Sequence, residues 1–421
     1  MNNIYKINNK KFKGILISIN YTLPVTKEQL SKTAVLASIL GKSSKKFENQ
    51  TKIQNYLYKL YGAIFDVNVQ KIGDLYSVEF RIEFVNKKYL PKIKDVSKEC
   101  IDFLYEIIYN PNIENGKFKE EVLEREKTSI LEKIMARKDN KYSYAVLRTE
   151  ELLCQNEVAG MYLFGDEEIV PKLTSKDVYE QYVNMINHSC INVIISGNLE
   201  GYDNIDDEIM ETFKEKLENK FNINDILVNT NNNEIQKIKI RETSEIQQTN
   251  QSVITFGLRV MKPKPEDYYA LNIYNSILGL TPSSKLFRNF REKKSLAYVV
   301  MSRYYRFKNI IIIYAGIEKE NYEKAKLVVN EELEDIKNGK VTMEEFEAAK
   351  ESILSNLLEW EDSKLAISKM LFSNLFAYKK DDITLEKMYE KMKNVTLQDV
   401  IDVAQKVKLE EIYLLGGAAN V

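Results

Sequence analysis

The sequence predicts an α+β protein of two homologous halves, each a mixed or antiparallel β-sheet with helices packed on one face. Three observations predict it. Strand-like and helix-like patterns follow one another in the same order twice. Two short segments recur at nearly one offset: KTSIL at 127–131 returns as KESIL at 350–354, and TSKDV at 174–178 returns as TLQDV at 396–400, offsets of 223 and 222. Between the copies runs FNINDILVNTNNNEIQK, rich in asparagine and without periodicity. The predicted division is residues 1–222, a linker at 223–236, and residues 237–421.

In the first half, 12–22 alternates as a strand, and 26–40 carries Leu30, Ala34 and Leu36 or Ala37 along one side of a helix. A second helix over 52–61 stops at Gly62. AIFDVNVQKI and DLYSVEFRIEF then form a hairpin through Gly73. Helices follow over 89–109, 117–137, on to about Cys154, and 176–186. The apolar INVIISG is a buried strand ending at Gly197, and DDEIMETFKEKLENKF is a charged helix. The second half repeats the order: strands within 235–259, a helix over 266–279, a helix feeding a strand over 282–300, the strand FKNIIIIYAGI, long helices, and EEIYLLGG ending at Gly416.

Composition narrows the function. Sixty-one basic residues against 62 acidic ones give a net charge of -1, so acidic ligands, nucleic acid or anionic lipid would need a local patch. No 18-residue apolar run and no signal-peptide core occur, which predicts a cytoplasmic protein that crosses no membrane. Cys100, Cys154 and Cys190 sit in apolar contexts as reduced core thiols. The single histidine, His188, rules out any site that needs two imidazoles from this chain, and its place before a buried strand reads as structural. Gly41-Lys42-Ser43 is not a phosphate loop, because Leu36 stands where its first glycine belongs. Asp203, Asp206, Asp207 and Glu208 read as charge complementing a helix dipole rather than as metal ligands.

The most informative stretch is PSSKLFRNFREKKSLAYVV, 282–300. Proline and paired serines open a helix, Leu286, Phe287 and Phe290 recur at helical spacing, and LAYVV is β-prone. Arg291 lies at the border of the apolar face. Tyr298 shares strand parity with Leu296 and Val300, so both are expected to point toward packed protein or a cleft.

This stretch resembles the second-half signature of the pitrilysin and mitochondrial-processing-peptidase superfamily of zinc peptidases, the inverzincins. SILGKSSKKFENQTKIQNYLYKLYGAIFDVNV resembles the first half's active-site helix, loop and glycine-led strand. The resemblance spans nearly the whole chain and implies a clam-shell, metallopeptidase-like arrangement. It also implies that Arg291 and Tyr298 contact substrate backbone and the scissile region. Active members carry HxxEH, with two histidines binding zinc and a glutamate taking a proton from the metal-bound water. Here Ala34, Ala37 and Ser38 stand at those positions. The third ligand falls on Lys133 when Glu126 is matched with its upstream companion, and a one-residue slip would place Glu132 there.

The implied protein has no catalytic residue and no zinc of its own. Within the superfamily it is most similar to the YmfF-like non-catalytic members of Gram-positive bacteria, linked by name to the 5-aminopentanol modification of elongation factor P. The expected function is that of a non-catalytic subunit, inactive alone, pairing with an HxxEH-bearing paralogue that holds the zinc. A peptide or unfolded protein is the expected substrate. The alternative is a peptide- or protein-binding scaffold with no peptidase role. The strand after Gly62 is a candidate for peptide capture by edge pairing, or an ordinary strand.

Overall fold

The computed structural model describes residues 3–155, 157–218, 239–247, 251–378 and 384–416, so the linker expected at 223–236 lies outside the described residues. The chain forms two compact units, and neither is continuous in sequence. The first opens with β1 (Ile4–Asn8), β2 (Gly14–Pro24), α1 (Lys27–Leu40), α2 (Gln50–Lys59), β3 (Ile64–Ile72), β4 (Leu75–Val85) and α3 (Ser97–Tyr109). A short ladder, β5 (Ile113–Glu114) with β6 (Lys117–Phe118), leads to α4 (Glu120–Ala136). The next helix, α5 (Lys141–Leu153), belongs to the second unit. The first unit then resumes with α6 (Ser175–His188), β7 (Cys190–Gly197) and α7 (Ile205–Phe213).

The second unit contains β8 (Arg241–Ile246), β9 (Ser252–Val260), α8 (Asp267–Asn275), α9 (Lys285–Phe287), β10 (Ala297–Tyr305), β11 (Ile310–Ile317), α10 (Tyr322–Lys337) and α11 (Met343–Trp360). Helix α12 (Lys364–Tyr378) goes to the first unit. The second closes with α13 (Leu385–Lys393), α14 (Leu397–Lys406) and β12 (Val407–Gly416).

The duplication is plain in the sheets. Strand order is β1-β7-β2-β4-β3 in the first and, read the same way, β8-β12-β9-β11-β10 in the second. In each, the first two strands are parallel and the rest antiparallel. The recurring TSKDV and TLQDV are N-caps of equivalent helices, where Thr174 with Asp177 and Thr396 with Asp399 form the same reciprocal capping box. The glycines that end β7 and β12 also have a shared reason: Gly197 and Gly416 have φ of 143° and 136°. A Cβ on Gly197 would meet the Gly14 carbonyl oxygen at 2.3 Å.

Alternation along β2 sends Ile15, Ile17, Ile19 and Tyr21 into one core with Val35, Leu36, Leu104 and Ile130. In the second unit, Ile254, Phe256 and Leu258 of β9 are fully buried on the face toward α14. The helical layer is therefore on one face of each sheet. The other face receives one helix apiece: α5 lies over β12, β9 and β11, and α12 over β7 and β2. Thr149 of α5 hydrogen-bonds Thr255, and Ser196 donates to the Lys364 carbonyl at 3.1 Å.

Some boundaries differ from expectation. The helix expected over 89–109 begins at Ser97, because Pro91 disfavours the α conformation at Leu90 and the chain makes two short 3₁₀ turns first. The charged helix stops at Phe213, where Lys214 takes φ 49°, and the helix expected over 266–279 passes into a π turn at Ser276–Leu280.

Candidate functional site

In the first unit the positions matched to the metal motif have become structure. Thr26 caps α1 through a capping box with Gln29, and the helix lays Ala34 and Ala37 into the core beside Val35 and Leu36. Ser38 and Lys42, one turn apart, turn toward α4. There Ser38 Oγ donates to Glu126 Oε2 at 2.7 Å and Lys42 Nζ approaches the same oxygen at 2.6 Å. Arg125 Nε takes the other oxygen at 2.8 Å. The Glu126 side chain is completely buried. Burial favours its neutral form, but hydrogen bonds from Lys42, Ser38 and Arg125 hold the carboxyl below the usual glutamate range.

The Lys42 ammonium and the Arg125 guanidinium thus supply the positive charge that this carboxylate faces. Lys133 is not part of that group: it is exposed, its ammonium 4.9 Å from the centroid of the Phe164 ring. Two buried alanines, a serine bound to a carboxylate and a lysine do not fit a zinc ion. Among the described residues no group of three or more His, Cys, Asp or Glu is placed to hold a metal.

In the second unit the sequence-predicted pair comes together. Ser284 caps α9, and the chain continues through a π turn, Arg288–Lys293, before Ser295 with φ 49° redirects it into β10. Two acidic residues grip this segment from within. Arg288 and Asn289 donate to Glu345 of α11 and Glu332 of α10, and the buried Lys285 ammonium lies 3.8 Å from each carboxylate. Burial pushes the Glu332 carboxyl above its ordinary value. Burial pushes Glu345 the same way, but the Thr342 amide, Lys285 and Arg288 bring it below.

On the outer side the Arg291 guanidinium lies 5.0 Å from the Tyr298 ring centroid and 5.1 Å from that of Phe287. Arg291 is exposed and Tyr298 is 73% exposed. Among the described residues Arg291 forms no ion pair. The parity expected for Tyr298 fails. Ala297 pairs with Ile317 but Val300 with Ala315, so a bulge inserts one residue and turns Tyr298 away from the buried side that Val300 keeps.

The remaining sequence candidates are structural. His188 is exposed with Nδ1 3.3 Å from the Asn184 carbonyl, and the three cysteines are buried and unpaired with one another. Asp206, Asp207 and Glu208 occupy the first turn of α7, Asp206 with Lys6 at 2.8 Å. β3, after Gly62, is the outermost strand of its sheet. Sequence reasoning missed the Lys42–Glu126 pair and the carboxylates behind the motif. Their signal was faint: Lys42 stands four residues after Ser38, in the turn just past the end of α1.

Fold and site together define a peptidase-like scaffold of two matching units, in which Ala34, Ala37 and Ser38, the residues that the resemblance matched to a metal motif, serve the core and an ion pair. Residues 172–353 match the family described as the peptidase M16 inactive domain. It is 27% identical over 412 residues, 98% of this chain and 95% of the relative, to a Bacillus subtilis protein described as a probable inactive metalloprotease, YmfF. A conserved protein from Enterococcus faecalis superposes with a TM-score of 0.87 at 25% identity, covering 99% of this chain and 97% of that one. A peptidase M16 inactive domain from Pseudomonas fluorescens gives 0.75 at 17% identity, over 99% and 96%. Among the described residues no helix is long and apolar enough to cross a membrane.

Proposed function

We propose that this chain is the non-catalytic subunit of a two-subunit zinc peptidase, lending Arg291 and Tyr298 to a partner that carries HxxEH and the zinc. The observation that carries the reading is the contrast within one molecule. The metal positions are filled by core and ion-pair residues, whereas Arg291 and Tyr298 stack on each other in the open, on a segment anchored by Glu332 and Glu345. A guanidinium and a phenol held so can hold a peptide in line and donate to an oxyanion developing at the partner's metal. The substrate class is a peptide or an unfolded protein.

The test is to copurify the chain with an HxxEH-bearing paralogue and measure peptide hydrolysis. Arg291→Ala should lower kcat/KM by about 100-fold and Tyr298→Phe by about tenfold. Unchanged turnover in both variants sinks the shared-site reading. Peptide that binds the pair but is never cut would point to a binding scaffold instead.

A further inference from the structure

We infer that the free edge of β10 docks an extended, acidic polypeptide segment. This deepens the reading above by naming a substrate class and takes its functional meaning from it, but it stands on other residues. β10 is the outermost strand of its sheet, bonded to β11 on one side, so the backbone groups along its other side have no strand to pair with among the described residues. Folded proteins commonly blunt such an edge with proline, inward charge or a covering element. β10 has its bulge between Ala297 and Val300, but from Val300 to Tyr305 it runs in regular register with β11 and without proline; α8, α9 and the π turns at 276–280 and 288–293 pack against it, whereas α5 reaches β12, β9 and β11. On the α5 face, where Tyr305 packs beside Leu153 and Cys154, Met301 remains 39% exposed and Arg303 is exposed.

Charge decides the ligand. From Lys285 to Asn309 the chain has eight basic residues and one acidic residue, Glu292, in a protein of net charge -1. Lys285, Arg288, Lys294 and Lys308 are matched by Glu332, Glu345, Glu331 and Glu157. Arg303, like Arg291, instead lies over a ring, 5.2 Å from the Tyr305 centroid, and forms no ion pair among the described residues. A guanidinium that lies over a ring and has no carboxylate partner keeps N–H donors for a carboxylate brought by a ligand. The matching edge strand β3 is self-compensated: Arg81 Nη2 holds Asp66 at 2.7 Å and Lys71 donates to the Met161 carbonyl.

An edge strand offers alternating N–H and C=O groups, and another main chain answers both. A phosphodiester backbone has no donor for the carbonyls. The occupant is therefore an extended peptide with an acidic side chain opposite Arg303.

Fluorescence anisotropy on the purified full chain, without a partner subunit, tests this with a labelled peptide of alternating glutamate and valine. The peptide should bind, more weakly as salt rises. Arg303→Glu should weaken binding by more than about tenfold and Arg303→Gln by about tenfold. Methylating alternate peptide nitrogens should weaken it comparably. The edge site is overturned if no binding is seen, if the lysine–valine peptide binds as well, if both Arg303 variants or the methylated peptide bind unchanged, or if a short single-stranded oligonucleotide binds better. These outcomes are independent of turnover in the Arg291 variants, so either reading can fail alone.

Discussion

The two segments that carry the resemblance, α1 in the first unit and the α9 turn in the second, are used in opposite ways. Ala34, Ala37 and Ser38 have been absorbed into packing and a buried ion pair, so the fold now depends on them. Arg291 and Tyr298 lie outside the packing, which depends instead on their neighbours Lys285, Arg288 and Phe290. Structural use and availability to a ligand have separated onto different residues.

Substitutions should rank accordingly. Ala34→His should cost about 3 kcal/mol in urea unfolding, because it overfills a close-packed site and buries an imidazole without a partner. A variant as stable as the parent would show that α1 still borders open space. Lys42→Met leaves Glu126 buried with its main cation gone. Roughly 2 kcal/mol is expected, less than for a fully enclosed pair because the Lys42 side chain keeps 32% of its exposure. Adding Glu126→Gln should restore much of that loss, and a simple sum of the two effects would argue against coupling.

Because the folded Glu126 carboxyl titrates below its ordinary value, its contribution is complete above that value and is lost as pH falls through the lowered one. Thermal melts at descending pH should show this loss in the parent and not in Glu126→Gln. Glu345→Gln should cost about 1 kcal/mol, and trypsin should nick at Lys293 or Lys294 faster. Tyr298→Ala should change stability by under about 0.5 kcal/mol. A larger loss would mean that Tyr298 is structural and the comparison fails on that side.

Periodicity and the repeated segments were enough to read the two-unit organisation, since alternation in β2, β4 and β9, the apolar run of β11 and the capping residues of α6 and α14 are local properties of sequence. That the residues matched by resemblance to the metal motif lack ligand atoms was legible, because alanine has no donor atom. What replaced them was not: pairing Lys42 with Glu126 depends on how α1 meets α4, 84 residues apart. The outward turn of Tyr298 was also hidden, because parity counts backbone steps and a bulge adds one. The exchange of α5 and α12 had a trace, in that α5 opens at Lys141 and α12 at Lys364, 223 positions later, the offset of KTSIL and KESIL. Helical periodicity shows that such a helix has an apolar side but not which sheet will receive it.

That exchange bears on the order in which the protein can be made. The first sheet is synthesised early, yet the helix whose Lys364 carbonyl meets Ser196 is encoded 168 residues later. A nascent chain that has not reached Lys364 therefore carries a β2–β7 surface without its helix, and residues 141–153 emerge before any strand of the sheet they cover. Neither unit can be completed by its own contiguous stretch of chain, so folding must close late and over long sequence separations, where loop closure is slow.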